Sequence, residues 1–174
     1  MKKIAVFIAD GSEEIETLTP VDVLKRAGIA VDIVSVGKET VTGSHGIRII
    51  ADKTADKADF REYDGMIVPG GMPGAINISE NKFAVNALVN AAKNGKLVAA
   101  ICAAPAVVLA PNGITDGKKT TCYPAEKFVK SLAKAFYTAA NVEKDGNIIT
   151  ANGPRSAMEF ALTICEYLGE RPAF

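Results

Sequence analysis

Cys102 follows the apolar run Leu97-Val98-Ala99-Ala100-Ile101 and precedes Ala103-Ala104-Pro105-Ala106-Val107-Val108-Leu109. A short, continuously apolar run reads as a strand buried on both faces, and small residues with an early proline read as a helix start. The thiol therefore belongs on a strand-to-helix turn. Free N–H groups at a helix N-terminus and the helix dipole favour an anion there, so the position favours thiolate over thiol and suits a nucleophile.

Glu16 is the natural partner. At 100° per residue it falls on the arc of Pro20, Val23, Leu24 and Ala27, while Glu14, Asp22, Lys25 and Arg26 share the opposite arc. Glu16 should point inward and Glu14 outward, with Glu13 at the helix end where it can meet water. A carboxyl held against an apolar face is biased toward its neutral form, and a neutral carboxyl can donate a hydrogen bond to a thiolate. The same placement also suits a buried carboxyl that only satisfies loop amides. Gly70-Gly71, after Met66-Ile67-Val68-Pro69, suits a sharp turn whose N–H groups form an anion hole beside sulfur, or a tight turn with no ligand.

The remaining reactive types are few. His45 is the only histidine, so a Cys-His-acid triad has one possible base, and it falls in a hairpin sequence where a solvated turn residue is the simpler reading. Cys165, in Phe160-Ala161-Leu162-Thr163-Ile164-Cys165, reads as helix packing. Cys122, beside Tyr123 and Pro124, reads either as a neighbour of the site or as a small buried residue. Three cysteines in no metal-like spacing argue against a disulfide framework or a zinc site. The glycines form neither a dinucleotide fingerprint nor a P-loop, so no cofactor is expected.

The elements that must hold these groups alternate. Strands are expected at about Lys3–Ala9, Val31–Val36, Gly65–Pro69, Leu97–Ile101 and Ile148–Ala151. Helices are expected at about Glu13–Ala27, Lys82–Asn94, Ala103–Ala110, Ala125–Leu132 and Ser156–Leu168. This rhythm implies one α/β domain over residues 1–174, with a mainly parallel sheet between helix layers. Thr40-Val41-Thr42 and Ile47-Arg48-Ile49-Ile50 flank Gly43-Ser44-His45-Gly46 as a hairpin, and Glu143-Lys144-Asp145-Gly146 leads into a return strand. Ligands of open parallel sheets collect beyond the carboxyl ends of the strands, where Gly11–Glu16, Pro69–Gly74 and Cys102 all fall.

Basic and acidic residues balance at 20 each without long blocks, so neither a nucleic-acid groove nor an anionic-membrane patch is indicated. The apolar run after Met1-Lys2-Lys3 is too short for a signal peptide, and no run is long enough to span a bilayer. A soluble cytoplasmic protein is expected.

Gly11-Ser12-Glu13-Glu14-Ile15-Glu16, Pro20-Val21-Asp22-Val23-Leu24, Val68-Pro69-Gly70-Gly71, Ala99-Ala100-Ile101-Cys102-Ala103-Ala104-Pro105 and Gly153-Pro154 together resemble the DJ-1/ThiJ/PfpI superfamily. The resemblance covers nearly the whole chain. It implies a flavodoxin-like three-layer sandwich with a nucleophile-elbow cysteine, Cys102, and a protonated Glu16 bonded to it. It also implies an anion hole from the backbone of Gly71 and Ala103, with Gly70 in the same turn, and a homodimer or higher homo-oligomer. The implied activity is a metal-free glyoxalase or deglycase acting on methylglyoxal, glyoxal or their protein adducts. The alternative is a redox sensor or holdase chaperone using the same cysteine. PfpI-type peptidases carry a His directly after the cysteine; here it is Ala103, which disfavours peptidase activity although Thr121-Cys122-Tyr123-Pro124 looks like that branch. Tyr123 stands where related members often carry a third-site His, leaving Tyr123 and His45 as possible substrate-orienting groups. The chain's last residue, Phe174, falls short of the extra C-terminal helix of longer members, so their dimer contacts through that helix are not assumed.

Overall fold

The computed structural model describes residues 1–174. Its central sheet is built from β1 (Lys3–Ile8), β2 (Ala30–Ser35), β5 (Lys53–Thr54), β6 (Gly65–Val68), β7 (Leu97–Ile101), β10 (Val142–Asp145) and β11 (Ile148–Ala151), in the order β10-β11-β7-β6-β1-β2-β5. All neighbours run parallel except β10, which pairs antiparallel with β11. The expected hairpin forms as β3 (Thr40–Thr42) and β4 (Arg48–Ile50), apart from the main sheet. A two-stranded ribbon, β8 (Lys119–Thr120) with β9 (Phe136–Tyr137), was not legible as strand sequence.

Two-residue alternation along the strands divides the core. Ala5 and Phe7 of β1 and Val98 and Ala100 of β7 pack on one face, and Ile4, Val6, Leu97, Ala99 and Ile101 on the other. The first face is covered by α2 (Gly74–Ser79), α3 (Lys82–Lys93), α4 (Glu126–Ser131) and the turns after Cys102. The second is covered by α1 (Glu14–Arg26) and α5 (Ala157–Leu168), through Val21, Val23, Leu24, Phe160, Ala161 and Ile164. Helices on both faces of a mainly parallel sheet make the flavodoxin-like sandwich that the resemblance implies.

Two segments beside the site depart from the sequence reading. The short helix α2 follows Gly70–Gly71 where none was expected. The segment after Cys102 is not a regular α-helix over Ala103–Ala110: Pro105–Leu109 form a π-helical turn in which the Ala110 N–H reaches back to the Pro105 carbonyl, and a 3-10 turn follows at Ala110–Asn112. Pro111 has no N–H to donate, so the turn cannot continue as a regular helix.

Candidate active site

Three loops at the carboxyl ends of β1, β6 and β7 converge, and their backbone hydrogen bonds explain why. After β1, Glu13 caps α1: its carboxylate accepts the Glu16 N–H at 2.7 Å, and its own N–H donates to the Gly70 carbonyl at 3.1 Å. After β6, Gly70 lies against both reactive residues, where a Cβ would come within 2.6 Å of Cys102 Cβ and of Glu16 Oε2. Gly71 has φ +86, and a Cβ there would collide with the Gly11 carbonyl. One glycine is required for space and the other for its left-handed backbone.

After β7, Cys102 itself has φ 64, a left-handed conformation that costs a non-glycine residue about 1 kcal/mol or more. It is held there from both sides. Its N–H donates to the Ala151 carbonyl of β11 at 2.9 Å, and its carbonyl accepts the Tyr123 N–H at 2.8 Å. This is the sharp strand-to-helix elbow that turns a nucleophile out of a sheet.

Glu16 is completely buried. Its Oε2 accepts the Gly70 N–H at 2.8 Å, and Oε1 is buried with no hydrogen-bond partner. Burial pushes the carboxyl up to about 7, opposed by its hydrogen bonds with Cys102 and Gly70 and assisted by the charge on Glu13. The Cys102 thiol is pushed up to about 12 by burial, then by the charge and hydrogen bond of Glu16, while the Ala103 and Gly71 amides pull it down. At the thiol, burial and the neighbouring carboxyl thus oppose the helix-end amides. Thiol and carboxyl behave as one pair, which gives up its first proton near neutrality and holds the second far above it.

The anion-hole expectation divides. Gly71 and Ala103 turn their amides to the sulfur. Gly70 does not, because its N–H is committed to Glu16 Oε2. Tyr123 is brought to the rim by its backbone bond to Cys102. Its half-exposed ring rests edge-on against Phe128, with centroids 6.4 Å apart, beside the open face of Gly153. Cys122 and Cys165 are buried on opposite faces of the sheet, each within a core cluster.

His45 lies elsewhere than a triad base. Its Nδ1 is 2.9 Å from Glu14 Oε2, and Glu14 also accepts the His45 N–H at 2.7 Å, the Ile47 N–H and the Ser44 hydroxyl. Glu14 is thus buried, contrary to its outward place on the helical wheel, because the β3–β4 hairpin folds over it. The wheel describes one helix and carries no sign of a hairpin 30 residues downstream. Glu13, Glu14 and His45 are the one grouping with metal-ligand reach, their atoms within 4.8 Å of one another. Glu14 is already saturated by four donors, and the positive end of α1 opposes a cation there. The grouping is a hydrogen-bonded clasp.

A flavodoxin-like sandwich with a buried glutamic acid under a left-handed cysteine elbow defines a class of thiol-centred α/β proteins. Within it, residues 2–167 match the model of the DJ-1/PfpI family, and the chain belongs to that family. It is 42% identical over 170 residues to a Parkinson disease protein 7 homolog of Danio rerio, covering 96% of this chain and 89% of that one. Protein dj-1beta of Drosophila melanogaster is 38% identical over 168 residues, covering 96% and 89%. Among solved structures, oxidized Toxoplasma gondii DJ-1 superposes with a TM-score of 0.91 at 38% identity, covering 97% of this chain and 91% of that one.

The clasp sets a pH dependence. Burial alone would raise the Glu14 carboxyl, but the His45 imidazole and the His45 and Ile47 amides outweigh it and hold it at about 2, while Glu14 raises His45. A carboxyl lowered on folding stabilises above its ordinary value, 4.5, and loses that contribution as pH falls toward about 2. The His45 contribution is complete below its ordinary 6.5 and fades as pH rises through its raised value. Urea midpoints of the wild type and Glu14→Gln should therefore differ most between pH 4.5 and 6.5. The gap should narrow toward pH 2 and above neutrality; a gap independent of pH would break this assignment.

Proposed function

We propose that the protein converts reactive dicarbonyls, such as methylglyoxal and glyoxal, or their early adducts on proteins, to hydroxy acids without a cofactor. The observation that carries the reading is Cys102 itself: a partly exposed thiol facing the Gly71 and Ala103 amides, with a buried carboxyl titrating near neutrality beside it. The Cys102 thiolate, its proton held by Glu16, adds to the aldehyde carbon, and the oxyanion that develops is met by the two amides and protonated by Glu16 to a hemithioacetal. Glu16, now a carboxylate, takes the proton from that carbon and delivers it to the neighbouring carbonyl carbon while the hydroxyl proton passes to that carbonyl's oxygen, leaving a thioester of the hydroxy acid. Water then cleaves the thioester, releasing the acid and restoring the thiol.

Purified protein should form lactate from methylglyoxal. Cys102→Ala should abolish turnover, and Glu16→Gln, nearly isosteric but unable to carry the proton, should lower kcat by about 100-fold or more. Tyr123→Phe should lose only about tenfold, the worth of one hydrogen bond to an uncharged group. A Tyr123→Phe enzyme as inactive as Cys102→Ala would make the phenol an essential proton carrier and overturn the two-residue mechanism. Absence of lactate from the wild type would remove the reading itself.

A second reading, redox sensing or holdase action, is supported by the same cradle. Two peroxide molecules oxidise the thiolate to sulfinate and leave as water, and the Gly71 and Ala103 amides with a neutral Glu16 suit the new oxygens. The similar Toxoplasma gondii protein is described as oxidized. Peroxide followed by peptide mass spectrometry should add oxygen first at Cys102, since Cys122 and Cys165 are buried. Oxidation of either buried thiol first would contradict it.

The proposal extends to a homodimer. Ile15 of α1 and Ile47 of the hairpin both border Glu14 and stand 54% and 52% exposed, apolar surface that a second copy would cover. Sedimentation velocity at micromolar concentration should give a dimer, and Ile15→Lys should shift it toward monomer; a wild-type monomer would end this part of the proposal.

A further inference from the structure

Glu13 makes no contact with the thiol, yet it closes a ring of hydrogen bonds behind it. The Glu13 N–H donates to the Gly70 carbonyl at 3.1 Å, the Gly70 N–H donates to Glu16 Oε2 at 2.8 Å, and the Glu16 N–H donates to Glu13 Oε2 at 2.7 Å. The ring joins the start of α1 to a turn more than 50 residues away in sequence. It leaves the two oxygens of Glu16 unlike: Oε2 is occupied as an acceptor, whereas Oε1 is fully buried with no partner.

We propose that Glu13 is a positioning residue that, through this ring, holds Glu16 against the Gly70 amide and in its protonated form. The inference rests on the reading of Glu16 as the proton carrier, given above, and deepens it. Glu13's own carboxylate is only 12% exposed, so its charge acts on Glu16 with limited screening, and it raises Glu16 in addition to burial. The charged and titratable groups around Glu16 are Glu13 from its own helix and Cys102 from the elbow. Beyond Glu13, Glu14 and His45 of the clasp complete the set. His45 Nδ1 is 3.7 Å from Glu13 Oε1 but 2.9 Å from Glu14 Oε2, so it pairs first with Glu14. The Gly70–Gly71 turn contributes only amides.

Glu13→Gln separates the two parts of the role, since the amide oxygen still accepts the Glu16 N–H while the charge is gone. Glu13→Ala removes both. The Glu16 carboxyl is titrated by 13C NMR in the intact protein, with Glu16→Gln assigning its resonance and no dicarbonyl present. In Glu13→Gln the Glu16 midpoint should move to lower pH by about one unit, with an unchanged unfolding temperature. In Glu13→Ala the shift should persist and the unfolding temperature should fall. A Glu16 midpoint in Glu13→Gln equal to wild type would overturn the proposal and leave Glu13 a helix cap. Because the titration needs no turnover, a wild-type protein that forms no lactate would remove the dicarbonyl reading while leaving this test intact.

Discussion

A carboxyl group taken wholly out of water is the constraint around which this molecule is arranged. Glu16 has no exposed surface, and an ionised carboxylate in such a place is costly unless it is paired and hydrogen-bonded. The structure meets that cost partly with one amide, from Gly70, and partly by raising the group until it holds a proton near neutrality. The rest of the site follows. Gly70 must lack a side chain because the carboxyl and the cysteine leave no room for one, and Gly71 must take a backbone that other residues avoid. Cys102 shares in the same balance: its proton is held by burial and by the charge its neighbour acquires.

Strand order explains why these groups meet. From β1 the chain passes through α1 to β2 on one side, whereas from β6 it passes to β7 on the other, so β1 and β6 flank a switch point in the sheet. Loops leaving adjacent strands in opposite directions open a crevice at their carboxyl ends. Glu13 to Glu16 descend into it from β1, Gly70 and Gly71 from β6, and Cys102 enters from the next strand. The cysteine's strained backbone is sustained because Ala151 and Tyr123 bind its N–H and carbonyl, each from a distant part of the chain.

The hairpin over α1 adds a second electrostatic layer. Glu14 and His45 satisfy each other at the surface of the fold, so the chain's one histidine serves to pin a hairpin rather than to act on sulfur. Two glutamates in the first turn of one helix thereby take opposite characters: Glu14, ringed by donors, is held at about 2, while Glu16, two residues on, is raised to about 7. Burial acts on both in the same direction; the donors around Glu14 outweigh it, whereas at Glu16 the deeper burial and the charge of Glu13 prevail.

What the sequence determined is local. The apolar run before Cys102 specifies a buried strand and the elbow after it, and the helical period turns Glu16 inward, because both depend on residues within a few positions of one another. The alternation of strands and helices likewise defined the sandwich. The tertiary structure decided what depends on through-space neighbours. Glu14 is buried although its helix faces it outward, because a distant hairpin covers it. The Gly70 amide serves a carboxyl rather than an oxyanion, because Glu16 comes within hydrogen-bonding distance of it. The thiol titrates as one pair with Glu16, because desolvation and that carboxyl act on it together with the amides of the elbow. Electrostatic energy depends on distance and burial in three dimensions, and neither can be read from separation along the chain.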